Sequence, residues 1–585
     1  MNIINTITKS IKSLLTHISR KKKFQFLFII IFTFFIGIME ILSIASLLPF
    51  VNSVTDINYF NKNYLLLTSF FENKERAIIG TGLLFASLSL IVACSKCWHI
   101  YLTARFSNET STEIAILIYK AKLNDSYISH ISKNSSVVIA SITQKVVQIS
   151  TTFTSIINFM SFIFLFLSIA SVLIWVNPKI MTIIILFFLF LYFALIVLGK
   201  KTLRRNGEII NKAQNKIVDS LRNGLSAIRN IIIDNTQDFY LNIFKKAFNE
   251  KTKRQILSEF IWYFPRYIFE GFAIITAVVV VISLTKFQGD ENNFFLMLPT
   301  LAVFALGAQK IIPLINSIYV NLSIIRSGAS QVSQVLEILD EDLIKNKEKE
   351  MIHRKKINFT NSILFENISF FYNKNQEYIF ENINFEIKKG SRIGIIGKTG
   401  EGKSTFLDLI MGLLSPASGE IKIDGIKLNK ETIDSWQSKI AHVPQNIFLS
   451  DGSFFENIAF GIDPKKINIE KVKLAAQKSQ SHNFIMKLER GYEEMAGERG
   501  VKLSGGQIQR IGLARALYKN AEIVIFDEAT NALDYDTEKL IINEINQLDR
   551  NLTIIIVAHR LNTLNICDVI YEIKDKKIHK IKNRF

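Results

Sequence analysis

Apolar runs near 24–50, 78–101, 152–176, 179–199, 261–285 and 294–320 constrain this chain more than any other feature. Each is about long enough to cross a bilayer core of ~30 Å as a helix rising about 1.5 Å per residue. A chain with six such runs is expected to fold in a membrane, and the 49% hydrophobic composition over 585 residues agrees. The first run is roughly twice a signal-peptide core and has no small-residue cleavage pattern at its end, so it is expected to remain as a span.

The formal net charge of +19 invites a nucleic-acid reading, but lysine and arginine crowding beside apolar spans is what cytoplasmic loops carry. No nucleic acid is expected as partner. Lys21, Lys22 and Lys23 precede the first span, and Lys200, Lys201, Arg204 and Arg205 follow the fourth, which puts both regions in the cytoplasm. The Asn177-Pro178 turn then lies outside. The long polar connections 102–151 and 200–260 fall on the cytoplasmic side with helical patterning, and can project well beyond the membrane. Cys94 and Cys97 lack a second Cys or His pair to complete a metal site, and no disulfide framework is implied.

These patterns predict a helical six-span membrane domain over 1–336, a charged linker over 337–356 and an α/β domain over 357–585. In the last, strand-like Arg392–Ile396 runs into Gly397-Lys398-Thr399-Gly400-Glu401-Gly402-Lys403-Ser404-Thr405 and then a helical segment, the context of a phosphate-binding loop. Glycines let backbone N–H groups approach phosphate, Lys403 reaches the β- and γ-phosphates, and Ser404 ligates magnesium. ATP and Mg²⁺ are the expected ligands. A buried apolar strand, Ile523–Phe526, delivers Asp527 for the metal and Glu528 as general base on water. A solvated acid pair is the bland alternative, and it holds only without the phosphate loop.

Between these elements lies Leu503-Ser504-Gly505-Gly506-Gln507, and with it the sequence resembles the ATP-binding cassette (ABC) family. The resemblance assigns Tyr372 to adenine stacking, Gln445 to the metal and γ-phosphate, Asp534 and Glu498 to companion motifs, and His559 to the γ-phosphate. Asn531 stands where the family usually has Ser, and Lys398-Thr399 replaces the commoner small pair. Six spans followed by one cassette is the exporter arrangement, with two cytoplasmic loops docking on the cassettes. Each family ATP lies between one cassette's phosphate loop and another's signature, so the resemblance implies a homodimer with two hydrolytic sites.

Ionisable residues within spans normally face a cavity or partner, which singles out Glu40, Lys96, Arg266, Glu270 and Lys310. Lys96, Arg266 and Lys310 suit an anionic head group such as pyrophosphate. Alternatively Glu270, four residues on, neutralises Arg266, while the lysines snorkel to the interface. Phe60, Tyr64, Leu67 and Phe71 recur at helical spacing, either as an external interfacial helix or as a lid packed on the spans.

The membrane half resembles the lipid-linked oligosaccharide flippases of bacterial protein N-glycosylation and their O-antigen relatives. The matching residues are Glu40 before Ile41–Phe50, Tyr59-Phe60, Ala104-Arg105-Phe106-Ser107, Phe264-Pro265-Arg266 with Glu270-Gly271, and Lys310 before Pro313. The cargo implied is a polyprenyl-pyrophosphate glycan moved from the inner to the outer leaflet of the bacterial inner (plasma) membrane, with the cassette in the cytoplasm. Lipid A, drugs and peptides stay open as cargoes, and so does a regulatory ABC protein that transports nothing.

Overall fold

The computed structural model describes residues 16–55, 60–61, 64, 73–132, 139, 142–143, 146–176, 178–287, 292–350, 354–373, 377–497, 500–529, 534–558 and 561–581. Two compact units result, one comprising Met1–Asp125 with Lys133–Lys345, the other Ser126–Ser132 with Asn346–Phe585.

The first unit is helical: α1 (Arg20–Ala45), α2 (Leu47–Thr55), α3 (Lys74–Leu123), α5 (Val146–Val176), α6 (Pro178–Ser226), α7 (Ile228–Ile233), α8 (Gln237–Phe287) and most of α9 (Asn292–Glu350). The short α4 (Tyr127–Ser132) belongs to the second unit. Helix α3 has 50 residues and α8 has 51, about 75 Å each at 1.5 Å per residue, more than twice a bilayer core. The connections expected to leave the membrane thus begin as continuations of the spans. The charged stretch expected to be a linker is helical through Glu350. Among the described residues, Arg20–Thr55, Lys74–Leu123, Val146–Trp175 and Gln309–Ala329 are long and apolar enough to cross a bilayer. The runs at 179–199 and 261–285 lie within α6 and α8.

Helix α1 shows why this unit needs lipid around it. Its buried side is Ile29, Thr33, Ile36, Gly37, Glu40, Ser43 and Ile44, whereas Phe24, Leu27, Phe28, Ile31, Phe34, Phe35, Ile38 and Leu42 are exposed. Polar and small residues inside with large apolar residues outside is the inverse of a soluble helix, and it is how spans associate. A Cβ on Gly37 would stand 2.7 Å from Ser168 Oγ, so glycine lets α1 approach α5 closely. Thr33 Oγ1, Ser161 Oγ and His99 Nε2 form a buried triangle with 3.1 Å sides that ties α1, α3 and α5.

The second unit contains two sheets. A six-stranded sheet has the order β10 (Lys577–Ile581), β9 (Val569–Lys574), β3 (Arg392–Ile396), β8 (Thr553–Val557), β7 (Ile523–Asp527), β6 (Ile440–Val443). Strands β9, β3, β8, β7 and β6 run parallel. Buried on both faces, β3, β7 and β8 are nearly unbroken apolar runs, as parallel strands under helices must be. An antiparallel sheet orders β2 (Phe380–Lys388), β1 (Ser362–Phe370), β4 (Ser418–Ile423), β5 (Ile426–Lys427). Around them pack α10 (Lys403–Ile410), α11 (Ile433–Ser438), α12 (Phe454–Ile458), α13 (Ile469–Lys478), α14 (His482–Ile485), α15 (Gly505–Tyr518) and α16 (Tyr535–Asn546).

Candidate functional site

Parallel strands bring their carboxyl ends to one edge, where open α/β sheets hold ligands. The phosphate loop leaves β3 there, Gln445 follows β6 by two residues, and Asp527 closes β7 in register with Val557 of β8. One sheet edge therefore gathers three of the motifs read from the sequence.

The loop from Gly397 to Gly402 wraps a helix start. Gly400 and Gly402 have φ of +91° and +97°, a left-handed backbone that L side chains rarely adopt. Lys398 N donates 2.9 Å to Glu401 Oε2. Lys403, largely buried, donates through Nζ to Gly397 O at 2.8 Å and Lys398 O at 3.3 Å. Its ammonium thus rests against the loop backbone. Thr399 completes the loop, Ser404 is exposed on the first turn of α10, and Thr405 is buried beneath it. Tyr372, two residues beyond β1, shares a 3.1 Å hydrogen bond between its hydroxyl and Thr405 Oγ1. This fixes the ring assigned to adenine stacking beside the loop helix.

Gln445 Nε2 donates to Glu528 Oε2 at 2.9 Å. Burial, then the neighbouring Glu528, pushes the Asp527 carboxyl above the usual range against the pull of Lys403. Burial, then Asp527, pushes Asp408 up to about 6. Acids that raise one another's proton affinity are a site short of positive charge, and the oxygen donors Ser404, Gln445 and Asp527 suit Mg²⁺. Glu528 itself sits at a φ of +51°, which costs a non-glycine residue energy and recurs at functional sites.

The signature starts α15. Ser504 is its N-cap, accepting from Gln507 N at 3.3 Å while Gln507 Oε1 accepts from Ser504 N at 2.9 Å. Gly505 and Gly506 form the first turn, leaving a helix N-terminus without bulky side chains, as anion binding favours. Asp534 N-caps α16 by accepting from Thr537 N at 3.0 Å. That bond, reinforced by Arg510, holds its carboxyl below the usual range. His559 and Glu498 lie outside the described residues, as does Asn531.

Two residues not singled out in the sequence lock the signature helix to the segment after Gln445. Arg515 donates through Nη1 to Phe448 O at 3.0 Å and through Nε to Asn457 O at 2.9 Å, with its guanidinium 4.4 Å from the Phe460 ring centre. A Cβ on Gly512 would stand 2.3 Å from Ile447 Cδ1. Neither residue carries a local signal, since an arginine and a glycine inside an amphipathic helix read as ordinary. Helix α4 groups with this cassette: burial raises the Tyr127 hydroxyl, followed by the charges of Asp408 and Tyr372.

In the membrane unit, Glu40 of α1 is fully buried and joins two other helices. Lys96 Nζ of α3 lies 2.8 Å from Glu40 Oε2, and Lys310 Nζ of α9 donates to Glu40 Oε1 at 2.7 Å. The two lysines do not snorkel separately; one carboxylate holds both. Arg266 instead pairs with Glu270 at 2.8 Å, one turn along α8, and both side chains are exposed. Phe60 is buried and Asn52 Nδ2 donates to the Tyr64 hydroxyl at 3.1 Å, the lid arrangement; Leu67 and Phe71 lie outside the described residues.

A parallel sheet with a phosphate loop, a strand-end acid pair and the Ser504–Gln507 signature defines a cassette of the ABC transporter ATPase class, and long apolar helices precede it. Residues 380–531 match the family model for the ABC transporter and residues 26–309 that for the ABC transporter transmembrane region. The chain belongs to the ABC transporters, with a transmembrane region followed by a cassette on one chain. It is 33% identical to the uncharacterized ABC transporter ATP-binding protein YknU of Bacillus subtilis over 62% of this chain and 60% of the relative. Identity to the ATP-dependent lipid A-core flippase of Francisella tularensis is 31%, over 51% of this chain and 48% of that protein. The alignments thus span about half to three fifths of these relatives. In fold, the chain superposes on a bacterial Atm1-family ABC exporter with ATP bound at a TM-score of 0.77 and 20% identity, covering 96% of this chain and 95% of the other.

Proposed function

We propose that this chain is an ATP-driven exporter that works as a homodimer, flipping a polyprenyl-pyrophosphate glycan from the inner to the outer leaflet of a bacterial inner membrane. The observation that carries the cargo reading is the Lys96–Glu40–Lys310 cluster. Two ammoniums on one carboxylate leave a net positive charge among the spans, where an uncompensated charge is costly unless it serves a ligand. A pyrophosphate head group suits it. Arg266, tied to Glu270, contributes to this path only by exchanging partners.

The cassette residues divide the work. Lys403 and the loop backbone bind the phosphates of ATP, and Tyr372 positions the base. Glu528 takes the proton as water attacks the γ-phosphorus, with Gln445 holding its carboxylate in place. Mg²⁺, held by Ser404, Asp527 and Gln445, would neutralise charge developing on the phosphates. Ser504–Gln507 of the partner subunit closes each site, Asp534 flanks the junction, and His559 contacts the γ-phosphate. Binding of two ATP molecules closes the cassettes, closure passes to the spans through the cytoplasmic loops, and hydrolysis resets it. The relative named as a lipid A-core flippase favours a second reading, in which lipid A is the cargo.

Reconstitution in liposomes with a fluorescent polyprenyl-pyrophosphate glycan tests the proposal. Movement between leaflets that needs ATP and disappears in Glu528→Gln is expected. Hydrolysis with no movement of that lipid would defeat the cargo assignment.

A further inference from the structure

A cleft of about 460 Å³ opens within the membrane unit among the start of α5, α6, α8 and Ser327 of α9, a volume typical of small-ligand sites. Its chemistry differs from every other surface of this unit described above. Gln148, Asn211, Gln214, Asn215 and Gln255 place five carboxamides around it, with the Trp262 indole beside them. Among the described residues of the lining, Lys251 is the one charged side chain and no carboxylate contributes. Asn215 Oδ1 and Trp262 Nε1 are buried without a hydrogen-bond partner among the described residues, and an unpaired buried polar group calls for a ligand or water to satisfy it. The wall is preformed: a Cβ on Gly207 would lie 2.6 Å from the Ser327 main-chain carbonyl oxygen, so α6 and α9 approach backbone to backbone at the cleft.

A pyrophosphate would need more cations and a lipid tail would need an apolar wall. Paired donors and acceptors of neutral carboxamides, with an indole for the flat face of a ring, match a neutral polyhydroxylated ligand. Ser327 lies 17 residues beyond Lys310 on the same helix, about 25 Å along its axis. We propose that this cleft binds the glycan portion of the cargo while the Lys96–Glu40–Lys310 cluster takes its head group. The inference rests on the glycolipid reading of function, and it adds a saccharide site that fixes which part of the cargo is recognised where.

The test uses the full chain in nanodiscs, titrated with a lipid-free hexamer of N-acetylglucosamine while tryptophan emission is recorded. Saturable quenching is expected, lost in Trp262→Phe and shifted to at least tenfold higher sugar in Asn215→Ala and in Gln214→Ala. No quenching in the wild type, or the same titration in all three variants, overturns the cleft. A second arm measures transport of the glycolipid and of glycan-free polyprenyl pyrophosphate. Equal glycolipid transport in wild type and Asn215→Ala removes the cleft and leaves the flippase reading intact. Saturable sugar binding without transport of either lipid removes the flippase reading and leaves the cleft.

Discussion

Gln445 Nε2 donates a 2.9 Å hydrogen bond to Glu528 Oε2, joining the segment after β6 to the end of its neighbour β7. The carboxylate it grips belongs to a residue held at a φ of +51°, so strained backbone and the Gln445 donor act together on the orientation of the proposed base.

Glu528→Gln is therefore expected to keep nucleotide binding and lose turnover by at least about 10²–10⁴-fold, the usual contribution of a general base. Gln445→Ala, which keeps the base and loosens it, is expected to lose less, about 10–10²-fold. Steady-state ATPase rates beside binding of a fluorescent ATP analogue decide this. Turnover in Glu528→Gln within a few-fold of wild type would remove the base assignment.

The phosphate loop, the acid pair and the signature were legible because each is a short run whose chemistry depends on neighbours in sequence. Even the capping box of Ser504 and Gln507 follows from serine and glutamine three apart at a helix start. The ionic cluster was legible only in its members. That Glu40 takes both Lys96 and Lys310 depends on how α1, α3 and α9 rotate against one another across 270 residues of chain, which no local pattern encodes. Arg266 and Glu270, four apart on one helix, could be read as a pair from spacing alone. Arg515 carries no local signal because the carbonyls it satisfies, on Phe448 and Asn457, lie 67 and 58 residues away in sequence.

Burial of Glu40 between two lysines makes an asymmetric prediction. Glu40→Ala removes the carboxylate that both ammoniums share and is expected to destabilise the membrane unit by less than the about 3–5 kcal/mol of a fully buried pair, because Lys96 and Lys310 are partly exposed. Lys96→Met is expected to cost less, since Lys310 still neutralises the carboxylate. Replacing all three by methionine should restore most of the stability and abolish transport of an anionic lipid. Thermal unfolding in detergent and the liposome assay read the two effects separately; a triple variant that transports at the wild-type rate would refute the cluster's role.

His442 of β6 is an acid-sensitive element of the cassette, opposed by Asp408, whose carboxyl, raised to about 6, favours the fold as pH falls. Its buried Nε2 has no partner among the described residues, and burial pushes the imidazole down to about 4 from 6.5. Between those values the unfolded chain binds the proton and the folded cassette does not, so this imidazole's contribution to stability falls as pH drops from about 6.5 toward 4. The loss reaches about 2 kcal/mol at pH 5. His442→Gln should flatten that decline. Trp436, whose Nε1 donates 2.7 Å to Ile410 O at the end of α10, reports cassette unfolding, and an equal pH slope in variant and wild type would contradict the assignment.

Arg515 ties the segment after Gln445 to the signature helix by geometry. Its guanidinium satisfies Phe448 O and Asn457 O together and stacks on Phe460, and burial has lowered its basicity to about 10. Arg515→Met keeps much of the volume but strips two carbonyls of their donor, at about 1–3 kcal/mol for each that stays buried and unpaired. The segment from Gln445 to Phe448 then loses its anchor on α15, so Gln445 is held less firmly against Glu528. Turnover should fall about tenfold or more while the affinity for ATP changes little. Arg515→Lys supplies charge without the planar fork and is expected to recover only part of the loss. Full activity in Arg515→Lys would mean that charge alone suffices at this position, and reduced ATP affinity with unchanged turnover would place the residue's role in binding instead.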